Sequence, residues 1–188
     1  MYKRKDFIDK YYPIALEVTK NSGIFPETLL AMAIVESSGK VGKEYLVGAN
    51  ASARYANNYF GIKSSTAWKG ATVKLSTPND AQKTSTFRSY PTVKDSFIDY
   101  VKFLKVNPRY VKANVFNSED YPTQIINIAR AGYAENTQYA DLVTNVANSV
   151  SKAIEKNIIK PIKDNKGIAG GLLTFFFLLL YLKHNDKI

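Results

Sequence analysis

"PETLLAMAIVESSGK", residues 26–40, is the stretch whose reading decides the fold. Pro26 suits the first position of a helix, where its missing N–H costs nothing, and Glu27 complements the positive helix start. Leu29, Leu30, Met32, Ala33, Ile34 and Val35 follow, so the stretch reads as a helix showing its apolar side, with Gly39 to end it. Glu36 is the exception. It stands i+7 from Leu29, i+4 from Met32 and i+3 from Ala33, and so shares a face with them. A carboxyl there is partly desolvated, its pKa rises, and it keeps its proton near neutral pH, as a general acid must. A helix-end glutamate reaching solvent fits the same spacing, and this helix alone leaves both readings open.

Around that helix lie 188 residues, enough for one core and a short appendage. With 45% hydrophobic and 22% charged residues the composition is globular rather than disordered. There is no cysteine, and the single histidine is His184, which excludes disulfides, thiolate metal sites, histidine-based triads and multi-histidine metal centres. No cofactor and no metal are expected. Chemistry is left to carboxylates, hydroxyls, amides and lysines. The formal charge of +10 suits an anionic wall or membrane face. A nucleic-acid partner is not expected, because no Gly-rich loop or basic recognition helix accompanies the charge.

Outward from residues 26–40, "MYKRKDFIDKYYPIALEVTKNSG" reads as a helix carrying Phe7, Tyr11, Ile14 and Val18, with Pro13 as a local break and Gly23 as its stop. It has no long apolar stretch and is no secretory signal peptide. Residues 40–58 read as loop. "ATVKLST" and "KTSTFRSY" read as two strands of a hairpin joined by the turn-forming "PNDAQ". Val93, Phe97, Tyr100, Val101 and Leu104 restore helical spacing in "TVKDSFIDYVKFLKVNPRY". "DYPTQIINIARAG" gives a short helix closed by Gly132, and "NTQYADLVTNVANSVSKAIEKNII" a long one capped by Asn136 or Thr137.

The expected organisation is a domain over 1–150, a basic helical linker over 151–166 and a hydrophobic tail over 167–188. Residues 151–188 hold seven of the 26 basic residues and three of the 16 acidic ones. From Gly167 to Leu182 no charge occurs, and as a helix this run reaches about 24 Å. That is short of a hydrocarbon core of about 30 Å, but lysines on both flanks can snorkel to extend it. A buried core helix fits the length. An apolar circumference placed after the domain favours a membrane anchor.

Four segments occur in one order: "AIVESSGK", "NNYFGIKSSTAWKG", "TSTFRSYPTVKDSFIDYVKFLKVNPRY" and "AGYAENTQYADLV". Together, over roughly residues 5–150, the series resembles the glucosaminidases of glycoside hydrolase family 73, the flagellar-rod and autolysin-type peptidoglycan hydrolases. The resemblance implies an α+β, predominantly helical, lysozyme-like domain with a small β-hairpin lobe. It also implies a cleft between the two and cleavage of the glycan strand after N-acetylglucosamine. By position, Glu36 matches the family's general acid. Asn58, Tyr59, Phe60 and Gly61 match its Asn-aromatic-Phe-Gly cleft segment, and Tyr133 and Tyr139 match its paired tyrosines, the first beside the reaction centre. Aromatic faces and amides are what sugar rings need. Trp68 and Tyr90 complete the expected sugar contacts, although core packing serves Phe60 and Tyr90 equally well. Arg88, in the matching Phe-Arg-x-Tyr, reads as a structural ion-pair residue.

The family's second glutamate, two positions after a threonine, is replaced here by Asn79, with Asp80 one step on. Inversion wants a second carboxylate about 6.5–9.5 Å from the acid to activate water. Asp80 can serve if the hairpin presents it to the cleft, and it is equally an ordinary turn residue. Glu44 and Glu135 are weaker substitutes, and the substrate's own acetamido group, oriented by Tyr133, is another route. Two readings stand beside hydrolysis. "VESSGK" also resembles the Glu-Ser motif of lytic transglycosylases, without their Gly-Leu-Met-Gln-like continuation. A non-catalytic wall-binding protein, for example of a phage particle, would keep the fold after losing the second carboxylate. Expected partners are peptidoglycan glycan strands, a membrane through the tail, and components of a phage or secretion machine that delivers the protein to the wall.

Overall fold

The computed structural model of the chain describes residues 1–77, 80–134 and 138–156, and of residues 77 and 80–82 the backbone alone. The architecture is mostly helical with two small antiparallel hairpins. Helix α1 (Arg4–Thr19) buries Phe7, Tyr11 and Ala15 on one row and Ile8, Tyr12, Leu16 and Thr19 on the next. Pro13 does not break it, contrary to the expectation from sequence. Its ring removes one intrahelical bond, but the residues on both sides are anchored in the core, and packing outweighs that loss. The chain then turns through Gly23 at φ +78°, where a Cβ would lie 2.7 Å from the Phe116 carbonyl oxygen.

Helix α2 (Pro26–Ser37) is the centre of the molecule. Every residue from Pro26 to Ile34 is buried, and the helix packs against α1 and the later helices α6 (Tyr121–Arg130) and α7 (Tyr139–Ile154). Its C-terminal end is not set by Gly39. Ser38 is already extended, and the last turn is tied down from outside: Asn50 Nδ2 donates to the Glu36 carbonyl (2.6 Å) and Asn50 N to that of Ser37 (3.1 Å). The orphan carbonyls of this helix end are thus satisfied by another segment of chain.

Residues 40–58, read as loop, contain more structure than that. Gly39–Val41 (β1) pairs with Glu44–Leu46 (β2), and Asn50 caps α3 (Ala51–Ala56) by accepting from Ala53 N at 2.9 Å. The second hairpin is the expected one: β3 (Thr72–Thr77) runs antiparallel to β4 (Asp80–Arg88), from Thr72 opposite Arg88 to Thr77 opposite Asp80, with a register shift between Ser76 and Thr77. The second strand begins at Asp80, earlier than the expected Lys83. This lobe is fastened to the chain before it by Ser64 N to Thr86 O (2.8 Å) and Arg88 N to Ile62 O (3.0 Å).

Helix α4 (Val93–Val106) starts with a capping box between Thr92 and Asp95. Its buried face carries Phe97, Tyr100 and Leu104, and the Tyr100 ring stacks on Phe60 with centroids 3.9 Å apart. Asn107 and Pro108 then end one helix and start the next, α5 (Pro108–Lys112). Helix α6 is capped by Asp120 and followed by Gly132 at φ +80°. Helix α7 lays Val143, Val146, Ala147, Val150 and Ile154 into the core. Its expected caps, Asn136 and Thr137, lie outside the described residues. So do residues 157–188, which include the predicted tail. Among the described residues no helix is long and apolar enough to cross a membrane.

Candidate active site

Two helices distant in sequence meet at Glu36. It is the penultimate residue of α2, and Tyr139 is the first of α7. Packing of α7 on α2 lets the Tyr139 hydroxyl donate to Glu36 Oε1 at 2.5 Å, and the Tyr139 hydroxyl oxygen also lies 3.4 Å from Met32 Sδ. Glu36 is half-buried. Burial pushes its carboxyl above the ordinary glutamate value, and the Tyr139 hydrogen bond opposes part of that rise by favouring the ionised form. Desolvation prevails, so the group holds a proton at a pH where an exposed glutamate has lost it.

The carboxyl opens onto a cavity of about 510 Å³ between the helical body and the segment that leads into the β-lobe. Phe60, Gly61, Ile62 and Lys63 form one wall, and Phe103, Arg109, Tyr110, Tyr133, Ala134 and Tyr139 the rest. The Tyr133 ring stacks on Tyr139 (centroids 5.8 Å, 26°) and lies 6.4 Å from Tyr110. Burial first, and neighbouring charge after it, holds the Tyr133 and Tyr139 hydroxyls far above the usual phenol value, so both remain donors. Arg109 fixes this wall by donating from Nη1 to the Gly132 carbonyl (3.0 Å) and from Nη2 to the Tyr110 hydroxyl (2.5 Å). A carboxyl whose pKa is raised by burial, in a cavity walled by aromatic residues, is an arrangement that can donate a proton to a sugar oxygen.

Of the residues expected at the site, the structure brings together Glu36, Phe60, Tyr133 and Tyr139. Four others it places elsewhere. Asn58 is fully buried; its amide donates to the carbonyls of Ile62 and Arg88 (2.9 Å each) and its Oδ1 accepts from Ile62 N (3.0 Å). It is spent on closing the turn that presents Phe60 and Gly61, and has no face for a sugar. Tyr59 is 4% exposed, with its ring stacked on Phe7 at 5.5 Å in the core. Tyr90 is equally buried and donates to Asp99 Oδ2 at 2.6 Å. Arg88 pairs with the same carboxylate at 2.7 Å, the structural role its motif suggested. Trp68 is half-buried and lines a second cavity, its indole N–H bonded to the Ala71 carbonyl at 3.0 Å.

Glu44 is exposed and paired with Lys3 at 3.3 Å, away from the cavity walls. Asp80 opens strand β4, but its side chain lies outside the described residues, as does all of Glu135. Among the described residues Glu36 is the only carboxylate lining the cavity. Sequence reasoning missed Lys63, Phe103, Arg109 and Tyr110. The last two had a signal in "VNPRY", where Asn107-Pro108 ends α4 and swings Arg109 and Tyr110 toward the 132–134 turn.

The glucosaminidase family model, described as mannosyl-glycoprotein endo-beta-N-acetylglucosaminidase, matches residues 12–152. The peptidoglycan hydrolase FlgJ of Vibrio parahaemolyticus is 36% identical over 151 residues, which are 78% of this chain and 47% of that protein. The FlgJ of Vibrio cholerae is 35% identical over 156 residues, 79% of this chain and 44% of that protein. The chain thus spans about half the length of these relatives. Among solved structures, the glycoside hydrolase domain of Salmonella typhimurium FlgJ superposes with a TM-score of 0.65 at 26% identity, covering 87% of this chain and 97% of that domain. A peptidoglycan hydrolase from Sphingomonas sp. A1 gives 0.62 at 25%, covering 81% and 94%. The fold is that lysozyme-like glycoside hydrolase fold.

Proposed function

Since this chain belongs to the glucosaminidase family, we propose that it hydrolyses peptidoglycan, cleaving the glycan strand after N-acetylglucosamine with Glu36 as general acid. One observation carries the reading: a half-buried carboxyl, raised in pKa by burial, sits in an aromatic-lined cavity and is oriented by the Tyr139 hydroxyl. Glu36 protonates the departing glycosidic oxygen. The opposite face of the sugar is served by Asp80 or by the substrate's acetamido group, which Tyr133 orients. Tyr133 and Tyr139, the half-buried tyrosines of the cavity wall, offer aromatic surface to the sugars, with Phe60 and Tyr110 packed behind as support. The +10 charge supports action at an anionic wall, and the uncharged run 167–182 supports membrane attachment of the tail, with delivery by a phage or secretion machine as the other route.

Gel zymography on peptidoglycan with wild type and Glu36→Gln tests this, together with reducing-end analysis of the products. Clearing by wild type alone, with reducing N-acetylglucosamine ends, is the expected result. Anhydromuramic ends would identify a lytic transglycosylase instead. Wall binding without clearing by either protein would identify a binding module.

A further inference from the structure

A second cavity of about 450 Å³ adjoins the first, and the two share Lys63 and Phe103. Its lining differs in kind. Trp68, Phe103 and Val106 supply apolar surface, while Lys63 and Lys102 are exposed and have no carboxylate partner among the described residues. Arg88, whose guanidinium lies 4.6 Å from the Trp68 ring, is already neutralised by Asp99, so the uncompensated charge is that of the two lysines. A neutral sugar has no use for two free ammonium groups. An occupant with carboxylates and small aliphatic side chains does, and peptidoglycan carries one: the short peptide hung from alternate sugars of the strand. Continuity with the Glu36 cavity puts such a peptide within reach while its own strand is being cut.

We propose that this second cavity binds the peptide stem of the substrate, with Lys63 and Lys102 engaging its carboxylates and Trp68, Phe103 and Val106 its aliphatic portions. The proposal rests on the peptidoglycan reading above. It makes the protein selective for strands that still bear charged peptides.

The test compares wild type, Lys102→Glu and Lys105→Glu as full-length chains. Lys102 lines only the second cavity, and Lys105 is exposed on the same helix and lines neither. Each is assayed on three soluble substrates: strands with intact stems, strands with stem carboxylates amidated, and strands stripped of peptide. Lys102→Glu is expected to lower kcat/KM about fivefold on intact stems alone, the scale of reversing one exposed charge contact. Lys105→Glu is expected to leave all three unchanged. An equal loss on all three substrates, a loss matched by Lys105→Glu, or no loss at all overturns the proposal. If wild type cleaves none of the three, the hydrolase reading fails instead. Titration calorimetry with the same fragments then decides the stem site by the same comparison.

Discussion

Helix α2 carries a glutamate near each end, and burial raises the pKa of both, yet the two ends differ in everything else. Glu27, in the first turn, is 5% exposed and lines none of the cavities described above. Glu36, in the last turn, is half-buried, accepts a hydrogen bond from a tyrosine 103 residues away and faces a 510 Å³ cavity. A perturbed carboxyl is therefore no site by itself. What separates the two is access: one carboxyl is sealed in the core, the other meets open space bounded by aromatic rings.

The sharpest way to break the comparison is to neutralise each end in turn. Glu36→Gln keeps the shape and removes the acid, and is expected to lower kcat by at least 100-fold, the usual worth of general acid catalysis. Glu27→Gln is expected to stay within twofold of wild type in the same assay. Equal losses would show that the cleft end has no special role.

Next in size is Tyr139→Phe. The hydroxyl both orients Glu36 and stabilises its ionised form, so its loss is expected to cost about tenfold in kcat. The same change lifts the Glu36 pKa further, and the alkaline limb of the pH–rate profile moves upward rather than downward. A purely structural role for Tyr139 predicts lower activity with that limb unmoved.

The smallest effect is on stability. A carboxyl whose folded pKa lies above its unfolded value contributes stability that is full below the unfolded pKa and is lost as pH rises through the folded one. Glu27→Gln and Glu36→Gln, which mimic the protonated form, are therefore expected to raise Tm at pH 7–8. The gap closes as pH falls toward 4, and each kcal/mol of relieved penalty is worth roughly 2–4 °C. Thermal scans across that range measure it.

Much of this was legible in the sequence because periodicity reports burial. The apolar run ahead of Glu36 marked a helix, though not its central place, and the period change from residue 71 marked the hairpin. Periodicity is blind to packing between distant segments. Nothing local showed that Asn50 would close the end of α2, or that Pro13 would sit inside an unbroken helix. The same limit explains the aromatic residues. Tyr59 and Phe60 are neighbours of one chemical kind, yet one stacks on Phe7 in the core and the other walls the cavity, and only their tertiary surroundings distinguish them. Asn58 went astray because an amide able to pair with a sugar pairs as well with a backbone turn. Arg109 carried no pattern of its own; its place follows from the Asn107-Pro108 corner and the 132–134 turn it holds.

The central claim is that burial keeps a proton on Glu36 for delivery into the cleft. Carbon-13 NMR of the glutamate side-chain carboxyls, with Glu36 assigned by loss of its signal in Glu36→Gln, measures that proton directly as pH is varied. The account predicts a Glu36 midpoint well above that of the exposed glutamates, coinciding with the alkaline limb of kcat/KM. A Glu36 signal that titrates with the exposed carboxyls contradicts it.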